Sequence, residues 1–159
     1  MGRHDRLLRE HRHDPYFVKE RYRGPSVCVR CRVLFRNGTF EWADKIPLNA
    51  EKIVCPACKR IEDKFEGGIV LLEGSFLANH KTEIRRIIQN TESAEQKMRP
   101  LERVLSATDL GARMEIRTTY EHMARRIGSA VHKACKGELA VQYAEGEKYA
   151  RVFWKRDAA

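Results

Sequence analysis

An α+β fold in two parts is predicted by the sequence: a four-cysteine ribbon near the N-terminus, then a ferredoxin-like β-α-β-β-α-β domain with an extra C-terminal strand. Three observations predict it. Two Cys-x-x-Cys pairs, Cys28/Cys31 and Cys55/Cys58, are separated by 23 residues. From Gly67 onward, apolar residues recur at strand and helix periods in alternation. Basic residues gather ahead of that change of pattern: residues 1–60 hold fourteen Lys and Arg against seven Asp and Glu, net +7, whereas residues 61–159 hold seventeen against fifteen, net +2. The expected division is a basic arm over residues 1–25, the ribbon over 26–66 and the α+β domain over 67–159.

Residues 1–24 carry seven basic residues, four acidic residues and three of the six histidines. Few of them suit a core, so the segment reads as an arm. Arg3, Arg6, Arg9 and Arg12 recur every third residue, which puts them along one side of a short helix formed on binding, and Pro15 interrupts that helix. His4, His11 and His13 have no ligand spacing and read as solvated or phosphate-contacting groups. Tyr16, Phe17 and Tyr22 interleave with Lys19, Arg21 and Arg23. Such a composition suits stacking on bases while cations meet phosphates, or anchoring of the arm on the folded body.

In the ribbon, each Cys-x-x-Cys pair can present two thiolates from one tight turn, and folding back the segment between the pairs brings the turns together. Four soft sulfur ligands in a tetrahedron suit Zn²⁺ and close it to water. Cys28, Cys31, Cys55 and Cys58 are therefore the expected ligands of a structural zinc. Disulfides would need an oxidising compartment, and Met1-Gly2-Arg3-His4-Asp5 has no apolar signal-peptide core behind it, so the expected setting is the reducing cytoplasm. Val33-Leu34-Phe35 leads to Asn37-Gly38, a hairpin signal, and Phe40-Glu41-Trp42 returns. Trp42 is expected to plug the small core beside the metal. Arg30, Arg32, Arg36, Lys59 and Arg60 decorate the knuckles and hairpin, where metal binding would fix their positions.

Further along, Gly68–Glu73 reads as a buried strand. Ser75 begins a helix with Leu77, Ile84, Ile87, Ile88 and Thr91 on its apolar face. Beyond Pro100, Leu101–Ala107 and Ala112–Thr118 form a hairpin around Asp109-Leu110-Gly111, with Met114, Ile116 and Thr118 alternating against Arg113, Glu115 and Arg117. Thr119 is placed to cap the next helix, which carries Tyr120, Met123, Ala124, Ile127, Val131 and Ala134 on one face and stops at Gly137. Arg125 and Arg126 lie off that face as solvated or phosphate-contacting cations. Cys135 has no partner motif and reads as a small core residue. Leu139–Tyr143 and Tyr149–Lys155 close the domain as a hairpin across Glu145-Gly146-Glu147.

Composition and missing motifs narrow the function. With 42% hydrophobic and 33% charged residues, the 159-residue chain can bury a core behind a well-charged surface. Its longest apolar run, Ile69-Val70-Leu71-Leu72, is strand-sized, so no membrane association is expected. The sequence lacks a phosphate-cradling Gly-x-x-x-x-Gly-Lys-Ser/Thr loop, a Gly-x-Ser-x-Gly elbow, a His-Glu-x-x-His helix and a deaminase His-x-Glu with Pro-Cys-x-x-Cys. Glu62 and Asp63 read as salt-bridge partners for the adjacent cations. No catalysis and no small-molecule substrate are expected.

The second knuckle, Cys55-Pro56-Ala57-Cys58-Lys59-Arg60-Ile61-Glu62-Asp63, resembles the corresponding knuckle of the archaeal and eukaryotic large-ribosomal-subunit export adaptor family, over about residues 28–73. The whole layout also resembles a group of small bacterial zinc-ribbon proteins. The likeness rests on His13-Asp14-Pro15-Tyr16, the cysteine pairs, and Thr118-Thr119 followed by Ala124-Arg125-Arg126-Ile127-Gly128. The adaptors have four cysteine pairs and a much longer chain; this chain has two pairs, so nuclear export and adaptor-specific partners do not carry over. What the resemblance implies is a zinc module that docks on large-subunit ribosomal RNA in assembly, quality control or dormancy, with Lys59 and Arg60 as phosphate neighbours.

The expected function is non-enzymatic, zinc-dependent binding of ribosomal or other structured RNA. Its expected contacts are Arg3, Arg6, Arg9, Arg12, Lys19, Arg21, Arg23, Arg30, Arg32, Arg36, Lys59, Arg60, Arg125 and Arg126. Phosphate neutralisation would supply the affinity. The alternatives are an adaptor that binds a protein partner through the ribbon and a sheet edge, and a DNA-binding regulator.

Overall fold

The computed structural model describes Tyr16, Tyr22, residues 24–143 and residues 148–158. The arm cations Arg3, Arg6, Arg9, Arg12, Lys19, Arg21 and Arg23, and the expected turn at Glu145-Gly146-Glu147, lie outside the described residues. Two mixed sheets organise the rest.

The first sheet has the order β3-β2-β1-β4, from β1 (Ser26–Cys28), β2 (Leu34–Arg36), β3 (Thr39–Glu41) and β4 (Glu51–Ile53). The hairpin of β2 and β3 turns at Asn37 and Gly38, both at positive φ (55° and 85°), as an Asn-Gly turn requires. β4 runs parallel to β1 and pairs Ile53 with Cys28, which sets the strand before the second knuckle beside the first knuckle. Phe35 and Phe40 pack with ring centroids 4.9 Å apart, and Tyr22 closes on Phe35 at 4.8 Å. Of the three rings only Phe40 packs beside the four cysteines, with Val33, Val54 and Leu101, in the place expected for Trp42. Trp42 instead stands 41% exposed and donates its indole N–H to the Gln96 carbonyl at 2.9 Å.

Helix α1 (Pro56–Asp63) follows. Cys55 is its N-cap, Pro56 occupies the first turn, where a missing N–H costs nothing, and Lys64 ends it at φ 54°. No helix was expected here, because one eight-residue segment shows too few apolar repeats to register as a period.

The second sheet has the order β6-β7-β5-β9-β8. Its elements are β5 (Gly68–Glu73), α2 (Ser75–Asn79), α3 (Lys81–Met98), β6 (Val104–Asp109), β7 (Arg113–Thr118), α4 (Glu121–Cys135), β8 (Glu138–Tyr143) and β9 (Ala150–Lys155). The helix expected from Ser75 is broken at His80, whose ring stacks on Phe76 at 3.7 Å while its Nδ1 meets the Phe76 carbonyl at 2.8 Å. The last strand is not added at the edge. β9 sits between β5 and β8, parallel to β5 and antiparallel to β8.

Val70, Leu72, Met114, Ile116, Val152 and Trp154 face Ile84, Ile88, Met123, Ala124, Ile127 and Val131 in one core, which also takes in Cys135. α4 lies close on the sheet because Gly128 has no Cβ; one would fall 2.4 Å from the Val152 methyl. Ala134, expected on the apolar face of α4, is exposed. Among the described residues, no helix is long and apolar enough to cross a membrane.

Candidate metal centre

Cys28 ends β1, and the chain then turns sharply: Arg32 N–H donates to the Cys28 carbonyl (2.9 Å) and Cys28 N–H to the Val33 carbonyl (2.9 Å). Closing this knuckle puts Arg32 at φ 71°. On the second knuckle, the start of α1 brings Cys55 and Cys58 together, with Cys58 N–H donating to Cys55 Sγ at 3.4 Å. Cys28 Sγ accepts from Arg30 N–H (3.4 Å) and from Cys55 N–H (3.3 Å), so each knuckle's backbone supports the sulfurs.

The four sulfurs lie within 4.8 Å of one another, with Cys28–Cys58 at 3.8 Å and Cys31–Cys55 at 3.7 Å. A tetrahedral ion with metal–sulfur bonds of about 2.3 Å would set its ligands about 3.8 Å apart. All five cysteines are free of disulfides, and Cys28, Cys55 and Cys58 are buried. Number, softness, spacing and burial of the donors all fit a metal ion.

A residue unforeseen in the sequence completes the cluster. Arg103, 6% exposed, comes from the segment ahead of β6 and donates from Nη2 to Cys31 Sγ (3.1 Å), from Nη1 to Cys58 Sγ (3.3 Å) and from Nε to the Pro100 carbonyl (3.0 Å). Trp42 covers its outer side, with the guanidinium carbon 5.7 Å from the ring centre. The hydrogen bond with Cys55 holds the Cys31 thiol down to about 4, against the effect of burial and with help from Arg103. The same bond and burial push Cys55 up, and a metal ion would bind its thiolate form. Burial also raises Cys58, partly countered by Arg103.

Thr119 is the hub between β7 and α4. It does not cap α4. Its hydroxyl donates to the Leu101 carbonyl (2.7 Å) and accepts from Arg103 N–H (2.9 Å), while its own N–H donates to the Arg103 carbonyl (2.8 Å). Tyr120 is the N-cap residue, and the buried Glu102 carboxylate accepts Met123 N–H at 2.9 Å in place of a local cap. Burial pushes the Glu102 carboxyl up to about 7, with Glu121 and Glu95 adding to the effect and the Met123 N–H opposing it.

The expected phosphate contacts are placed unequally. Arg32 and Lys59 are exposed, each directly after a ligand cysteine. Arg30 reaches Glu62 at 3.2 Å and Arg36 reaches Glu41 at 2.6 Å, both on the surface. Arg60 is 2% exposed: it donates to the Thr119 carbonyl at 3.0 Å and lies over Tyr120, Phe65 and Tyr16 at 4.3, 5.0 and 5.4 Å. Enclosed in this way, it does not face a phosphate. Arg125 and Arg126, on α4, are held by Glu121 (2.7 Å) and Glu95 (3.3 Å).

Comparison with protein-family models, curated proteins and solved structures gives no match for the chain.

Proposed function

We propose that this protein is a non-enzymatic, zinc-dependent binding factor for ribosomal or other structured RNA, working in the cytoplasm on the large ribosomal subunit during assembly, quality control or dormancy. Arg32 is the observation that carries the reading. Its φ of 71° costs a non-glycine residue about 1–2 kcal/mol, which glycine would relieve. A solvent-facing cation stands there instead, tied to the metal through Cys31, and Lys59 repeats the placement after Cys58. Strain kept at an exposed charged position points to a use for the charge.

Bound zinc would supply a closed, structural four-thiolate centre that fixes both knuckles. The net +7 of residues 1–60 then offers phosphates a basic end, with Arg3, Arg6, Arg9, Arg12, Lys19, Arg21 and Arg23 extending it. We read the second unit as a ferredoxin-like core of β5, β6, β7 and β8 with its two crossover helices, into which β9 is inserted. Fold alone assigns no function, so the reading rests on charge and metal.

Sedimentation of the tagged protein in native lysate tests it. Comigration with the large subunit, abolished by RNase and by raised salt, is the expected result; a position at the top of the gradient in gentle salt overturns the ribosomal assignment. With about five phosphate contacts, RNA affinity should fall by roughly two to three decades over a fourfold rise in salt.

A second reading, a protein-interaction adaptor, is favoured by one observation. β8 is an edge strand with Val141 40% and Tyr143 57% exposed, a template for strand pairing with a partner. It predicts an association that survives RNase.

A further inference from the structure

We propose that Arg103 makes the metal centre a joint, through which metal occupancy sets the order of the Leu101–Arg103 and Thr119–Met123 segments of the α+β domain. The two arms of the guanidinium take one sulfur from each knuckle, Cys31 from the first and Cys58 from the second. Pairing of β1 with β4 sets the knuckles side by side, and an ion bonded to all four cysteines would fix the two sulfurs at the spacing the fork spans. Without it, Arg103 keeps the Pro100 carbonyl and loses both sulfur acceptors in a site 6% exposed to water. A buried guanidinium left with one acceptor has unsatisfied N–H groups away from water, so the side chain and its backbone must move.

Its backbone is bound into the domain. Arg103 exchanges hydrogen bonds with Thr119 in both directions, through Arg103 N–H to the hydroxyl and Thr119 N–H to the Arg103 carbonyl. The preceding residue, Glu102, supplies the acceptor for Met123 N–H in the first turn of α4. The Thr119 carbonyl in turn accepts from Arg60, which stands on the helix that begins at the second knuckle. Displacing Arg103 therefore disturbs the Thr119 link after β7, the start of α4 and the seat of α1 together. This is a contiguous hydrogen-bond path from sulfur to helix, and by linkage the domain must hold the metal as the metal holds the domain. Arg103 is a positioning residue that lies outside the ligand set, where loss of a hydrogen-bonded partner costs metal affinity roughly 10–100-fold.

Hydrogen exchange on the full chain, zinc-loaded and after chelation, needs no variant and decides the matter. Protection is expected to fall at least about tenfold at residues 101–103 and 119–123 as well as in the knuckles, while β5, β7 and β9 keep their slow amides. Loss confined to residues 26–63 overturns the proposal. Loss spread through the whole second sheet overturns it too, since zinc would then be a global stabiliser and not a joint. Zinc transfer to a chromogenic chelator gives the reciprocal arm: Arg103→Lys and Arg103→Gln should retain zinc roughly 10–100-fold less well. Retention equal to the parent chain in both overturns it. None of these readouts involves RNA, so they stand or fall apart from the proposed function.

Discussion

Arg103 Nη2 and Cys31 Sγ, 72 residues apart in the chain, meet at 3.1 Å, and the same guanidinium reaches Cys58. The four-cysteine cluster is thus completed by a residue from the segment ahead of β6, and losing one of its sulfurs should be felt in both places.

Replacing Cys58 with Ser removes one sulfur from the tetrahedron and one acceptor from Arg103. Metal content by elemental analysis should drop from one zinc per chain to well below one, and the ribbon should lose its fixed structure, since metal and fold are linked. Cys135→Ser is the control: that sulfur is buried in the other core and should leave zinc content unchanged.

Arg32→Gly should have effects of opposite sign on stability and binding. Relief of the left-handed strain is expected to stabilise the metal-loaded protein by about 0.5–1 kcal/mol in urea unfolding. RNA affinity should fall, and the slope of log affinity against log salt should lessen by about 1. An unchanged slope would remove Arg32 from the interface.

Glu102 imposes a pH dependence. Its folded value of about 7 stands above the unfolded value, so the folded state binds the extra proton. Stability from this group is full below about pH 4.5 and declines as pH rises to about 7, by on the order of 2–3 kcal/mol. Glu102→Gln keeps an oxygen for Met123 N–H and carries no charge. Urea unfolding of the zinc-saturated protein between pH 5 and 8 should show a flatter profile in this variant.

At Gly67 the backbone passes so close to the hub that a Cβ would sit 2.4 Å from the Thr119 carbonyl oxygen and 2.8 Å from the Tyr120 Cα. Both are backbone atoms and cannot rotate away. Gly67→Ala should cost about 1–3 kcal/mol or more by thermal unfolding. Gly111→Ala, at φ 87° with open space around it, should cost less, about 1 kcal/mol.

Local signals were legible in the sequence. The cysteine spacing located the cluster, Asn37-Gly38 marked the β2–β3 turn, and the periods of β5, β7 and α4 marked the faces that form the core. What escaped depends on partners distant in the chain. Arg103 looks like one more charge beside a strand, and only the fold brings it to Cys31 and Cys58. Arg60 reads as a surface cation of a basic knuckle, yet three aromatic rings and the Thr119 carbonyl enclose it. Thr119 has the chemistry of a helix cap, but Leu101 and Arg103 claim its hydroxyl, and Glu102 caps from another segment. The insertion of β9 is equally silent, because alternation along a strand fixes its faces and not its neighbours.

The central position of β9 bears on how the chain folds as it is made. β5 is among the first strands of its sheet to be synthesised, yet one of its two edges stays open until residues 150–155 have been added. Among the described residues, β8 meanwhile has no hydrogen-bonded neighbour within the sheet except β9. A nascent chain that stops short of β9 therefore leaves one edge of β5 open and β8 unpaired, the state most exposed to pairing with the wrong strand. Adding β9 closes both gaps at once and brings Val152 and Trp154 into the core.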